Sequence, residues 1–518
     1  MRVRHYSNKM RPGIQYVLLS AFVLSMVYGR AQNTDSIQNA VKERYSEWSE
    51  ARSRYYTGPA LKKWQWTQNA AQLDVSYHNS ANDQFLPQKG SGRNGFLVHT
   101  ASYTTNQKNR TLWGRAFYNN QTLRDVKYNE TLDYDLIYPL AMVDTAGGDL
   151  KSETYFFSGG FAGQLSGMEL GVSAGYRGEQ AFRARDPRTK DLTSKIDLTV
   201  SASMPVSTHY QLGLDIGGFT YRQNNAVGFS SELGSATIYH DAGMGIYNLL
   251  LTGANTQAFF NATQYGAAIN WVTKTEKGFL VTASYHQLNL DKRLNTRIFF
   301  TPINTVSEYM LDGSVGYILR KGSSNYLFQV SGASKRRRAD EGIYDNRNTS
   351  TGYVEIGRAS RYSSGYTRLG AKAILERAVA NAVWSVTGQI DWVDDEYQYA
   401  IPLRKIMISQ IIPGAGLNYF RSVRKSSFAI NIQGRYTHNT EARYSWPDVN
   451  EESMVYAMLT DMYRSYAADG LSLKGFIRYD IPVAPKLGIY FKTAAERNRF
   501  KTFSGQAYEF WLTAGVSF

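Results

Sequence analysis

The chain is 518 residues long, carries a formal net charge of +15 and has a mean hydropathy of −0.41; 43% of its residues are hydrophobic, 38 are Tyr and none is Cys. Without Cys there is no disulfide scaffold, no thiolate metal site and no lipidated N-terminal cysteine. No stretch beyond the leader is long and apolar enough for a spanning helix, so a membrane role must rest on strands, which mean hydropathy barely registers.

The leader has a basic region (Arg2, Arg4, Lys9, Arg11), an apolar stretch from Ile14 to Tyr28, and small residues in Gly29-Arg30-Ala31. This is the pattern of a secretory signal over residues 1–31, with the cut between Ala31 and Gln32. Its removal takes five basic residues (Arg30 included) and no acid from the +15, so much of the basicity is targeting and nucleic acid is not an expected partner. Residues 32–70 form a separate N-terminal segment. Within it Asp35 to Tyr56 is predicted helical, because Ile37, Val41, Trp48, Ala51 and Tyr55 fall near one face and Thr34 or Asp35 can cap the start. Gly58-Pro59 ends the helix. A short docking helix is the favoured reading, with a plug inside a barrel as the alternative.

From Ala71 onward apolar residues recur every second position, the period of a strand with one greasy face. Leu73, Val75 and Tyr77 alternate with Asp74, Ser76 and His78, and Gly95–Tyr103 and Arg110–Asn119 follow. Tyr155–Gly178 is the clearest hairpin; Leu192–Met204 and Tyr210–Tyr221 repeat its arrangement. In the second half the predicted strands are Tyr265–Thr273, Phe279–Leu290, Tyr309–Leu319, Tyr326–Ser334 and Tyr366–Leu375, then Trp384–Trp392, Ile411–Phe420, Phe428–Tyr436, Leu471–Ile481 and Leu487–Ala495. Tyr508–Phe518 ends the chain. Many run longer than the ~5 or 6 residues usual in globular sheets, and a spanning strand needs about 9 to 11.

Connection lengths give a second signal. Counting back from Phe518, short turns such as 483–486, 422–427 and 376–381 alternate with long connections such as 437–470, 393–409 and 335–365. A transmembrane barrel has this parity, with short periplasmic turns and long outer loops, whereas a β-sandwich or solenoid does not predict it. The expectation is a single antiparallel up-and-down barrel over 71–518, with 14 to 18 strands and 18 as the best count. Tyr508, Phe510, Leu512, Ala514, Val516 and Phe518 make the last strand amphipathic, with Trp511 the bulky exception, and this strand should pair with the first to remove the sheet's edges.

Ala31-Gln32 after the leader, the Tyr- and Gly-rich alternating strands and the ending Tyr508-Glu509-Phe510-Trp511-Leu512-Thr513-Ala514-Gly515-Val516-Ser517-Phe518 resemble outer-membrane barrels of Bacteroidota. Over the whole chain the similarity is to a family catalogued only as outer-membrane β-barrels of unknown function. The resemblance implies the cell outer membrane, with its lipid and lipopolysaccharide, as the location. It supplies no catalytic or ligand residues. Tyr508, Phe510 and Phe518 also resemble the C-terminal signal that the barrel-assembly machinery reads.

If the apolar set faces lipid, the alternate set faces the lumen, because charge at mid-depth is too costly in lipid. This places Arg435, Lys474, Arg478, Asp480, Lys492 and Glu509 inside, with Arg177, Asp215, Arg368, Lys372 and Asp391. The basic cluster Arg435, Arg478 and Lys492 either favours anionic solutes or belongs to an ion-pair network that braces the barrel. Lys335, Arg336, Arg337 and Arg338 form the densest charge run, either a loop base or a contact for lipopolysaccharide or a protein partner at the outer loops. Asp394-Asp395-Glu396 lacks the spacing of a calcium loop. The apolar residues of 437–470 suit a loop that folds inward or docks on another protein. The mature His residues (His78, His99, His209, His240, His286, His438) are scattered, and no Gly-x-Ser-x-Gly elbow occurs. Ser284 and His286 share a lumenal face, but no enzyme, cofactor or metal is expected. The expected function is a channel or uptake component for a small solute, with a non-conducting structural or accessory barrel as the alternative. Since only Gln32 to Ala70 lies between the cut and the barrel, passage is expected to be passive or partner-driven.

Overall fold

Eighteen of the strands form one antiparallel sheet that closes on itself. The computed structural model describes residues 34–106, 110–231, 237–253, 256–294, 302–345, 354–484 and 487–518, so the leader and the predicted Ala31/Gln32 cut lie outside the described residues. In chain order the strands are β1 (Ala70–Asn82), β2 (Gly92–Thr105), β3 (Thr111–Val126), β4 (Met142–Val143), β5 (Gly148–Leu165), β6 (Met168–Phe182) and β7 (Arg188–Pro205). There follow β8 (Tyr210–Gly228), β9 (Tyr239–Gly243), β10 (Ile246–Tyr247), β11 (Gln257–Thr273), β12 (Lys277–Leu294), β13 (Asn304–Lys321) and β14 (Ser324–Asp345). The last are β15 (Val354–Val379), β16 (Ala382–Tyr399), β17 (Arg404–Val423), β18 (Ser426–Ser445), β19 (Gly470–Ala484), β20 (Leu487–Phe500) and β21 (Gly505–Ser517). β4, β9 and β10 make a separate three-stranded sheet; the rest are barrel strands.

Closure is made by β21 on β1, in register from Gln72 opposite Ser517 to Asn82 opposite Ala507. Phe518 N–H donates to the Ala71 carbonyl at 2.9 Å, so the ladder is used to its last residue. The two faces divide as the period predicts. Val75, Phe96, Leu112, Phe157, Leu198 and Ile216 stand outward, each about half exposed, while Asp74, Ser76 and His78 are buried inside. An apolar belt on a closed sheet suits lipid, since every backbone group inside it is already paired.

Alternate strand ends meet in short turns on one rim and in longer connections on the other, as the parity predicts. The strands outrun their predicted bounds on the loop rim. β14 and β15 reach Asp345 and Val354, inside the predicted loop 335–365, and the predicted 393–409 loop shrinks to residues 400–403. Beyond the apolar belt both faces are polar, so the period-two signal fades although the hydrogen-bond ladder continues. The long connection after β3 holds one helical turn (Tyr134–Ile137), and Ile137 and the following Tyr138 are buried.

The N-terminal helix is two helices, α1 (Thr34–Arg44) and α2 (Glu47–Ser53), divided because Ser46 leaves the helical region and its hydroxyl caps α2 by accepting from Ser49 N–H at 3.0 Å. A 3₁₀ turn at Arg54–Tyr56 and a 3₁₀ helix at Pro59–Trp64 follow. The segment lies inside the barrel at the short-turn rim, and the favoured docking-helix reading is corrected accordingly. Its apolar face packs on the barrel's inner wall, with Trp48, Tyr55, Tyr56 and Leu61 against Val272, Leu280, Ile318, Leu327 and Ile374. Gly171 permits this approach: a Cβ there would come within 2.4 Å of the Pro59 backbone.

Candidate functional site: a charged cavity between a plug and a cap

Each rim of the lumen is occupied. At the short-turn rim the plug, residues 37–66, is tied to the wall by side chains from widely separated strands. Ser46 Oγ donates to Glu376 Oε2 at 2.6 Å, and Trp48 Nε1 to the Tyr326 carbonyl at 3.3 Å. Glu47 Oε1 accepts from Asn431 Nδ2 at 2.7 Å and Gln433 Nε2 at 2.9 Å, with Lys372 Nζ 3.8 Å from its other oxygen. Arg478 Nη1 donates to the Tyr45 hydroxyl at 2.8 Å, and Lys63 pairs with Glu169.

The chain between Gly58 and Trp66 also carries cations into the wall. Burial pushes the Lys62 ammonium down to about 8, the Arg44 charge nearby adding to the effect and Asp215 opposing it. Arg44, stacked 4.1 Å from the Trp66 ring centre, is lowered by burial to about 10.

At the loop rim three connections fold inward as a cap. Ile137, Leu140, Met142, Met244, Leu459 and Met462 join one apolar cluster with the upper barrel wall. Met458, Leu459 and Met462 lie on α3 (Met454–Tyr466), N-capped by Ser453. The long 437–470 connection thus turns inward, and its apolar residues are cap core. Basic residues on or next to the strands hold the infolded segments. Arg404 Nη1 donates to the Met244 carbonyl at 2.7 Å, Lys292 Nζ to Ala141 at 3.2 Å, and Arg183 pairs with the buried Glu130 and Asp144.

Between plug and cap lies a cavity of about 750 Å³, bounded by inward residues of β12–β16 and β18–β21 and by Glu47, Glu50 and Arg54 of the plug. Its charged lining includes Arg368, Lys372, Asp391, Arg435, Lys474 and Glu509, together with Asp312 and Glu496. Arg368 pairs with Asp391 at 2.8 Å and Glu509 with Arg93 at 2.7 Å. With the Gln389 amide oxygen facing it, Arg435 donates Nε and Nη2 at 2.7 and 2.8 Å.

The other predicted lumenal charges fall elsewhere. Arg478 and Asp480 pair at 2.6 Å in the plug–wall contact, and Lys492 lies 4.7 Å from the Phe476 ring centre. Arg177 bonds Asp133 of the cap, and Asp215 bonds Asn270 at 2.8 Å and Ser201. The basic trio Arg435, Arg478 and Lys492 is therefore no free anion-attracting ring, because Arg478 is neutralised by Asp480 and closes on the plug.

The run Lys335–Arg338 is corrected from a loop to the strand β14, where it splits between faces. Arg336 and Arg338 stand outward and exposed. Arg337 is buried and donates to the Asp135 and Tyr138 carbonyls at 2.8 and 2.6 Å while pairing with Glu308 at 2.7 Å, a cap tie that no lipopolysaccharide can reach. Lys335 shares its inward phase. Asp394-Asp395-Glu396 lies within β16, and among the described residues no cluster of acids and histidines is arranged to hold a metal. Ser284 hydrogen-bonds Asp312, and His286 Nδ1 lies 3.4 Å from Gln264 Nε2.

Sequence reasoning passed over Asp312, Glu496 and the plug's Glu47. Asp312 lies in phase with the lumenal Ser314, and Glu496 lies one residue beyond the predicted end of its strand and in phase with Lys492. Glu47 had no signal, since its role depends on where the helix docks.

Residues 59–518 match a family described as a family of unknown function, DUF6850. No curated protein matches the chain. Among solved structures it is similar to BauA, the ferric preacinetobactin receptor of Acinetobacter baumannii, at 9% identity and a TM-score of 0.37 over 87% of this chain and 80% of that one. Fiu, the ferric-catecholate import receptor of E. coli K12, gives 6% identity and a TM-score of 0.38 over 88% and 82%. OccK7 (OpdD) of Pseudomonas aeruginosa gives 11% identity and a TM-score of 0.30 over 88% and 99%.

Proposed function

Since the chain belongs to this family of unknown function, DUF6850, which brings no activity with it, we propose from its geometry that it is a gated outer-membrane barrel for uptake of a small polar solute. The N-terminal plug is the gate. Lipid and lipopolysaccharide surround the apolar belt, the assembly machinery reads the terminal strand, and the protein performs no chemistry on its cargo.

The observation that carries this reading is the charged cavity of about 750 Å³ between plug and cap. Enclosed ion pairs rarely stabilise a protein more than apolar packing of the same volume, so a barrel needed only as an anchor gains nothing from them. A chamber of this size lined by polar groups fits the dimensions of a small-molecule site. Passage requires the plug to leave or tilt, because it crosses the short-turn rim.

The accessory reading, a non-conducting anchor, is favoured by one observation, that both rims are covered among the described residues. A lock on the plug separates the two. The Leu61 Cγ lies 3.1 Å from where a Cβ on Gly213 would sit, close to the spacing of a disulfide sulfur from its partner's Cβ. In a chain without Cys, the pair Leu61→Cys and Gly213→Cys can be closed and opened cleanly. In planar bilayers and proteoliposomes, reduced protein is expected to show intermittent openings and solute entry, and oxidised protein neither. Equal conduction in both states removes the plug as gate. Silence in both, from protein shown to be inserted, supports the accessory barrel.

A further inference from the structure

Resting on the uptake reading, we infer that the cavity takes a zwitterionic solute, an amino acid or short peptide, rather than an anion, a cation or a neutral polyol. The argument is one of unpaired poles. Most charges of the lining are already matched: Arg368 by Asp391, Glu509 by Arg93, Lys372 by Glu47 and Arg54 by Glu50. Four are not. Among the described residues, Arg435 on β18 meets only the neutral Gln389 amide, and Lys474 on β19 has no carboxylate within ion-pair distance. Asp312 on β13 is met by the neutral Ser284 hydroxyl, and Glu496 on β20 by that of Ser472 at 3.2 Å.

Two cations and two anions thus face the same chamber without an ion-pair contact among the described residues. Arg435 and Lys474 lie on adjacent strands and form a basic pole. Asp312 lies across five strands from β18, on a separate stretch of wall, and Glu496 stands opposite Lys474 in the ladder. A ligand carboxylate matches the guanidinium of Arg435 as a fork and Lys474 as a point charge. A ligand ammonium matches the acids. A dianion such as a dicarboxylate gains at the basic pole but meets repulsion at Asp312 and Glu496, and a dication meets the reverse. A polyol leaves both poles without their counter-charges. Around the chamber the Gln329 amide, the Gln389 amide nitrogen and the amide oxygens of Asn431 and Gln433, whose nitrogens bond Glu47, supply donors and acceptors of the kind that pair with a peptide bond.

The test is calorimetric titration of the detergent-solubilised full chain with glycylglycine, its N-acetylated amide, succinate, putrescine and maltose. Saturable binding of glycylglycine is expected, at least tenfold tighter than of any other probe. Arg435→Gln and Asp312→Asn should each weaken it at least tenfold while heat-modifiable migration of the barrel is kept. Asp312→Lys should move the preference toward succinate, a gain that misfolding cannot mimic. Equal or tighter binding of succinate, putrescine, maltose or the blocked dipeptide overturns the inference, as does unaltered glycylglycine binding in Asp312→Asn. No binding of any probe overturns it too. Plug-dependent proteoliposome entry of the other probes, without glycylglycine binding, would leave the uptake reading standing and remove this one. Glycylglycine binding in a barrel that never conducts would do the opposite.

Discussion

At the loop rim the lumen is closed by three infolded connections whose Ile137, Leu140, Met142, Met244 and Leu459 are fully buried in one continuous apolar cluster. At the short-turn rim it is closed by a single segment held by two small apolar contacts and a set of exchangeable polar ties, Ser46–Glu376, Glu47–Asn431 and Tyr45–Arg478 among them. The difference teaches which closure can move. Apolar burial is lost as a whole when a cluster opens, at roughly 25 cal/mol per Å². A polar tie released into water nets only about 0.5–1.5 kcal/mol because water replaces the partner. The cap is a core and the plug is a stopper.

The contrast breaks most visibly at the cap. Leu459→Asp places an unpaired charge in the apolar cluster and should cost about 3–5 kcal/mol of cap stability. Limited proteolysis should then cut within 127–147 and 446–469 while the barrel keeps its heat-modifiable migration. A cap that stays resistant would mean that the cluster is not its fastening.

On the plug side, Trp48→Ala removes the largest apolar anchor and the donor to Tyr326, at about 3–5 kcal/mol of docking. Amide exchange across 37–61 should accelerate and open probability in bilayers should rise, with exchange in the cap unaltered. Acceleration at both rims would show the two closures to be coupled.

A smaller effect is expected of Glu47→Gln, which keeps the shape but removes the charge facing Asn431, Gln433 and Lys372. The cost is about 1–2 kcal/mol, read as more frequent openings, and added salt should narrow the gap between variant and parent. If salt leaves the gap unaltered, the charge is not what holds the plug there.

The smallest effect is a pH dependence from Lys62. Its docked pKa of about 8 lies below the ordinary 10.5, so the docked plug holds the proton less well than the released one. Docking is therefore penalised in full below about 8, and the penalty is relieved as pH rises from about 8 toward 10.5. Openings should become rarer between pH 7.5 and 9.5, and Lys62→Met should flatten that slope; an opposite slope would mean that Lys62 is not desolvated by the wall.

Much of the wall is legible in the sequence. Leu73, Val75 and Tyr77 against Asp74, Ser76 and His78, repeated in strand after strand, mark two faces, and connection parity from Phe518 yields the eighteen barrel strands. Part of the cavity was legible for the same reason: Arg368, Lys372, Asp391, Arg435, Lys474 and Glu509 are all out of phase with the greasy face. Strand ends on the loop rim were not, because outside the apolar belt nothing forces alternation on β14 or β15. The direction of Arg337 was hidden inside a run of four basic residues, and the position of the plug was hidden altogether.

By itself, then, the sequence determined a closed antiparallel barrel, the side of each strand that meets lipid, and the closure of β21 on β1. These are consequences of a strand period of two and of the cost of charge in hydrocarbon, both of which act on neighbouring residues. What fills the lumen was decided only by tertiary structure. A wet interior tolerates polar and apolar side chains alike, so inward residues obey no local rule, and the contacts Tyr45–Arg478 and Glu47–Asn431 join residues 433 and 384 positions apart.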